Sequence, residues 1–184
     1  MKELSLNILD ISENSTKAGA TRVGISIVEC DERLKIEIKD NGHGMTPEIL
    51  DSVTNPFCTT RTTRKVGMGI PLFKFAAEQT GGGIEIKSKH INDFPDDHGT
   101  VVTALFYKTH IDCMPLGDVI STVVTLIQGH PTVDILFTHK MPDREITLDT
   151  KEIRAILENV PLDTFEVLQW IRENLADQIG RAHV

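Results

Sequence analysis

Asp40-Asn41-Gly42-His43-Gly44, followed at Gly67-Met68-Gly69-Ile70 by a second glycine pair, decides how this chain is read. The first segment leaves an alternating strand, Ile36-Glu37-Ile38, so its aspartate emerges at a strand end, where a carboxylate can face the edge of a base. The glycines beside it let the backbone approach a ligand, because they lack a Cβ and tolerate positive φ. Asp-Asn-Gly alone is an ordinary turn signal, and a lone Gly-x-Gly is common. Order gives these elements their weight. Asn14 lies upstream in Glu13-Asn14-Ser15-Thr16-Lys17-Ala18-Gly19-Ala20-Thr21, and Gly99-Thr100 lies downstream, before a hydrophobic strand.

Outward from this core, Leu4, Ile8, Ile11, Ser15 and Ala18 recur at helical spacing and predict an amphipathic helix over 2–18, closed by Gly19. Val23, Ile25 and Ile27, then Leu34, Ile36 and Ile38, alternate with period two and predict paired antiparallel strands. Thr46-Pro47-Glu48 starts a short helix, with Thr46 as N-cap and Pro47 at the first helical position. Residues 52–66 lack apolar periodicity and read as a loop. A helix over 69–79 follows, then a hairpin formed by 84–87 and 100–107. The order suits a two-layer α/β sandwich, a mixed and mostly antiparallel sheet with helices on one face.

A boundary near residues 112–117 separates this unit (1–110) from a small α+β extension (111–184). In the extension, the apolar, β-branched run 119–128 fits a helix or a strand, with helix favoured, 133–138 and 145–148 read as a hairpin, and 149–159 and 163–178 as two helices divided by Pro161.

The four ordered elements resemble the GHKL ATP-binding superfamily, which includes gyrase, heat-shock chaperones, histidine kinases and MutL. Asn14 falls in the N box, Asp40 to Gly44 in the first glycine box and Gly67 to Ile70 in the second. The resemblance implies a Bergerat-type fold with ATP and Mg2+ as cofactors. It assigns Asn14 to the magnesium, Asp40 to the adenine amine, and Gly42 and Gly44 to clearance for the purine. Thr100 resembles the family threonine that assists adenine recognition. Met45, with Ile49 and Val53, would wall the base, although each could equally be core. Asn55-Pro56-Phe57-Cys58-Thr59-Thr60-Arg61 resembles the histidine-kinase F box, with Phe57 at the base of a short lid over residues 59–66. There Thr59, Thr60 and Arg61 would face phosphate. Gly67, Met68, Gly69 and Ile70 would open a helix whose N–H groups face the same charge.

Asp10, Asn14 and Lys17 share one helix face by their spacing. Lys17 could reach phosphate or simply be a solvated lysine. Position 10, four before the asparagine, carries a glutamate in ATP-hydrolysing members of the superfamily and in anti-sigma serine kinases, as general base. Sensor histidine kinases usually lack an acid there. Asp10 is therefore the candidate catalytic residue, one methylene short, with Glu13 as rival on another face. Cys58 reads as a small residue beside Phe57, with a redox-sensitive thiolate as the alternative.

A net charge of −8 argues against a broad nucleic-acid footprint. No apolar run approaches the roughly 20 residues that span a bilayer, so no membrane association is expected. Three widely spaced cysteines give neither a disulfide framework nor a zinc motif, and the chain reads as reduced and cytoplasmic. No phosphoacceptor hairpin precedes the N box here, so the expectation is action in trans on a protein partner; the resemblance also admits a homodimer. The rival expectation is a nucleotide-gated interaction module without turnover.

Overall fold

The computed structural model describes residues 2–54 and 68–180. In chain order these form α1 (Leu4–Lys17), β1 (Arg22–Glu29), β2 (Arg33–Asp40), α2 (Pro47–Thr54), α3 (Gly69–Gln79), β3 (Gly83–Lys89) and β4 (Gly99–Tyr107). They continue as α4 (Val119–Gly129), β5 (Asp134–Met141), β6 (Arg144–Asp149), α5 (Thr150–Leu157) and α6 (Phe165–Gly180). The strands build one sheet in the order β3-β4-β2-β1-β5-β6. Only β1 and β5 run parallel among the described strands; the other neighbours are antiparallel. The mixed, mostly antiparallel sheet with packed helices is the predicted fold class.

Strict alternation sets which face is buried. Val23, Ile25 and Ile27 on β1, Leu34, Ile36 and Ile38 on β2, and Val102, Ala104 and Phe106 on β4 point into the helical layer. Lys35, Lys39 and Lys140 alternate onto the opposite, water-facing side, as expected of a sheet solvated on one face. α3 packs over β3 and β4, α1 over β1 and β2, and α6 beside β6. α4 lies between α1 and α6, which explains why its apolar residues surround most of its circumference: Val119, Val123, Val124, Leu126 and Ile127 are all buried. Asp118 caps it, accepting from Ser121 N–H at 2.9 Å and Ser121 Oγ at 2.6 Å. These bonds hold the Asp118 carboxyl below its usual range.

α2 persists to Thr54, so residues 52–54 are helical where a loop was expected. The reason is Val53, which is buried in the core and anchors the last turn. The sheet is continuous across residue 110. Register pairs Val23 with Ile135 and Ile25 with Phe137, so the extension adds β5 and β6 directly to the β1 edge.

Candidate functional site

A single row of inward-facing residues crosses the sheet at the end of β2. Asp40 pairs with Thr100 on β4, and Thr100 pairs with Ser88 on β3. α1 lies above this row and brings a fourth residue to it. Ser15 Oγ donates to Asp40 Oδ2 at 2.6 Å. Asp40 Oδ1 accepts from the Gly42 N–H at 2.9 Å and the Thr100 N–H at 3.2 Å. Three donors therefore set the carboxylate plane, and Oδ2 retains one lone pair for an incoming donor.

The turn beyond Asp40 is fixed from several sides. Asn41 Oδ1 accepts from the N–H groups of Thr21 and Arg22, both at 2.9 Å, tying the turn to the start of β1. The His43 N–H donates to the Ala18 carbonyl at 2.9 Å. His98 Nδ1 donates to the Gly42 carbonyl at 2.6 Å. Gly44 has φ +73°, and a Cβ there would sit 2.0 Å from the Lys89 carbonyl oxygen. Only glycine fits both the dihedral and the close approach. Ser88 Oγ accepts from the Met45 N–H at 2.7 Å and lies 2.8 Å from Thr100 Oγ1. It thus joins the glycine turn to the Thr100 strand.

On α1, Asp10 and Asn14 are half-buried one turn apart, and Lys17 is exposed beyond them. Among the described residues neither Asp10 nor Asn14 has a side-chain hydrogen-bond partner. Glu13 is occupied: both its oxygens lie 3.0 Å from His130 Nε2, at the C-terminus of α4. The rival acid is therefore turned toward the extension and away from Asp10. The N-terminus of α3 comes directly against Asp10, since a Cβ on Gly69 would lie 2.5 Å from Asp10 Oδ2. Met68, the N-cap, provides no side-chain cap, and Pro71 has no N–H, so the first-turn amides of Gly69 and Ile70 are the donors at this end.

The structure thus brings Asp40, Gly42, Gly44 and Thr100 together at one end of the sheet, and Asp10 together with Gly69. Met45 is half-buried against the core; Ile49 is exposed and Val53 buried. Ile70 is buried in the core, whereas Met68 is exposed. Phe57, Thr59, Thr60, Arg61 and Gly67, with Cys58 and the rest of the expected lid, lie outside the described residues. Sequence reasoning missed Ser15, Ser88, Asn41 and His98. The first two carried a signal: each is a polar residue on an apolar stripe, Ser15 after Leu4, Ile8 and Ile11, and Ser88 after Ile84 and Ile86.

The family model described as histidine kinase-, DNA gyrase B-, and HSP90-like ATPase matches residues 1–110. The nitrogen regulation protein NtrY of Azorhizobium caulinodans is 35% identical over 81 residues, covering 44% of this chain and 10% of that protein. The sensor protein SrrB of Staphylococcus aureus is 34% identical over 94 residues, covering 48% of this chain and 16% of that protein. The chain accordingly spans only a small part of these relatives' length. The ATPase domain of Aquifex aeolicus MutL, solved with ADP, superposes with a TM-score of 0.56 at 16% identity. That match covers 86% of this chain and 70% of the other, a likeness of fold alone.

Proposed function

This chain belongs to the histidine kinase-, DNA gyrase B-, and HSP90-like ATPase family, and from that premise we propose that it binds ATP with Mg2+ and uses it, by phosphotransfer or slow hydrolysis, to regulate a protein partner in the cytoplasm. No helix among the described residues is long and apolar enough to cross a membrane.

The residues fit an adenine nucleotide. Asp40 Oδ2 would accept the exocyclic amine, Thr100 would assist beside it, and Gly42, Gly44 and Met45 would leave room for the purine and cover it. The donor chemistry also fits magnesium: the Asn14 side-chain carbonyl is a hard oxygen ligand on the same helix face as Asp10. Among the described residues no three His, Cys, Asp or Glu side chains converge on a metal site. That suits a cation drawing most of its ligands from phosphate and water. Bound Mg2+ would supply charge neutralisation at the phosphates. Lys17 would add a cation at the solvent edge, and the α3 amides at Gly69 and Ile70 would donate to phosphate oxygens.

Asp10 carries the catalytic half of the reading. Its carboxylate has no competing partner among the described residues and lies at the N-terminus of α3, while Glu13 is held by His130. Asp10 would orient an attacking water or partner hydroxyl and take its proton. The same position supports the second reading: an acid at a helix N-terminus is stabilised by the helix dipole without doing chemistry. In that case ATP would act only as a conformational ligand. Measuring Mg-ATP turnover and calorimetric ATP affinity for wild type and Asp10→Ala separates the two. Turnover lost with affinity kept supports the general base. An unchanged low rate favours the interaction module.

A further inference from the structure

The geometry points to a docking groove between α5 and α6 for a basic amphipathic helix of the regulated partner. This inference rests on the partner half of the reading above and not on its nucleotide half.

The groove encloses about 300 Å³ and is lined by Ile153, Ile156 and Leu157 on α5 and by Val167 and Trp170 on α6, with Glu166 at its edge. On α5 the spacing 153, 156, 157 is one helical stripe, running to the last residue of the helix. Ile156 is 81% exposed and Phe165, beside the groove's α6 wall, is 75% exposed. Apolar side chains this open, gathered along one groove, mark an interaction surface rather than scattered surface residues.

Charge selects the occupant. Glu152 lies one turn before Ile156, Glu173 lies one turn after Trp170, and Glu158, Asp163 and Glu166 stand at or near the connection between the helices. None of these acids is in an ion pair among the described residues. The neighbouring arginines are engaged elsewhere, Arg154 with Asp134 and the Pro131 carbonyl and Arg172 with Ser121 Oγ, and Lys151 beside Glu152 leaves the rim acidic on balance. An apolar floor with an acidic rim complements a helix bearing apolar anchors at i, i+3 or i+4 and i+7, flanked by Lys or Arg. The same rim opposes other occupants. A symmetric contact between two copies would set Glu166 and its neighbours against themselves in a chain of net charge −8. Nucleic acid and anionic lipid would be repelled.

Trp170 is the chain's one tryptophan, so the groove carries its own fluorophore. The probe is a fluorescein-labelled Leu/Lys peptide in amphipathic order, about 18 residues or five helical turns, compared with its scrambled isomer and a Leu/Glu counterpart. The Leu/Lys peptide should move Trp170 emission to shorter wavelength. Its anisotropy-measured affinity should fall about tenfold or more in Ile156→Lys and in Glu166→Lys, as when a groove anchor is reversed in charge. Both positions are exposed, so the variants keep the fold. Calorimetric ATP affinity measured in parallel should not change, which separates failure here from failure of the nucleotide reading. Equal binding of the scrambled or Leu/Glu peptide would overturn the proposal. So would a concentration-dependent dimer abolished by Ile156→Lys, which would assign the groove to a second copy.

Discussion

Ser15 Oγ lies 2.6 Å from Asp40 Oδ2 and joins the first helix to the end of the second strand, 25 residues later. Both groups are on the inward side, and Ser15 is 4% exposed. The bond helps aim the carboxylate that the family resemblance assigns to adenine, so the residue after Asn14 orients the Asp40 side chain.

Asp40→Asn should weaken ATP binding by about ten- to a hundredfold, the effect of losing a charge-assisted hydrogen bond of roughly 1.5–3 kcal/mol. GTP, which presents a carbonyl where adenine has its amine, should bind poorly to wild type. Calorimetric titration of both nucleotides checks this; equal affinities would refute the adenine assignment.

Ser15→Ala should act in the same direction and less strongly, by about 1 kcal/mol, because it removes one neutral donor and leaves two N–H groups on Asp40. The double variant with Asp40→Asn should be less than additive, since the two residues share one bond. A strictly additive cycle in ATP affinity would mean that Ser15 does not act through Asp40.

Asn14→Ala should remove the magnesium dependence of ATP affinity while leaving metal-free ADP binding close to wild type. Titrations with and without Mg2+ test it, and an unaltered metal dependence would place the ligand elsewhere on α1.

Gly69→Ala tests how closely α3 and Asp10 are matched. The new methyl would meet Asp10 Oδ2 at 2.5 Å and its Cγ at 3.0 Å, so the carboxylate must move. Turnover should fall about tenfold or more, since a base displaced by about 1 Å loses its geometry. Adding Gly69→Ala to Asp10→Ala should cost nothing further, and a further loss would mean that the glycine acts by another route.

Glu29 gives an acid limit to stability. It accepts from His139 Nε2 at 2.7 Å and Lys108 Nζ at 3.0 Å, and these partners, His139 first, hold its carboxyl down at about 2 against an ordinary 4.5. A depressed carboxylate stabilises the fold fully above the unfolded value and loses that contribution as pH falls through the folded one. That contribution is present above pH 4.5 and fades toward pH 2. Urea unfolding of wild type and Glu29→Gln should differ at neutral pH and converge across that window.

Much of this was legible beforehand because it is local. Alternation in 22–29 and 33–40 is enough to set two half-buried strands, and the 3.6-residue stripe of Leu4, Ile8 and Ile11 is enough for α1. Asp40, the glycines and Thr100 were visible because they stand in short motifs whose order along the chain can be read directly. Asn41 and His98 were not, because their roles lie in bonds to the start of β1 and the Gly42 carbonyl. Nothing in neighbouring residues announces such bonds.

By itself the sequence determined the elements, the burial side of each strand and the order of the nucleotide-box residues, since periodicity and backbone freedom are properties of adjacent residues. Tertiary structure alone decided which acid stands without a partner among the described residues. Asp10 and Glu13 are both acids near Asn14 on one helix. The packing of α4 places His130 on Glu13, and the close approach of Gly69 brings α3 to Asp10. It also decided that the extension joins the sheet at β1, because strand pairing across more than a hundred residues depends on a register that no local pattern encodes.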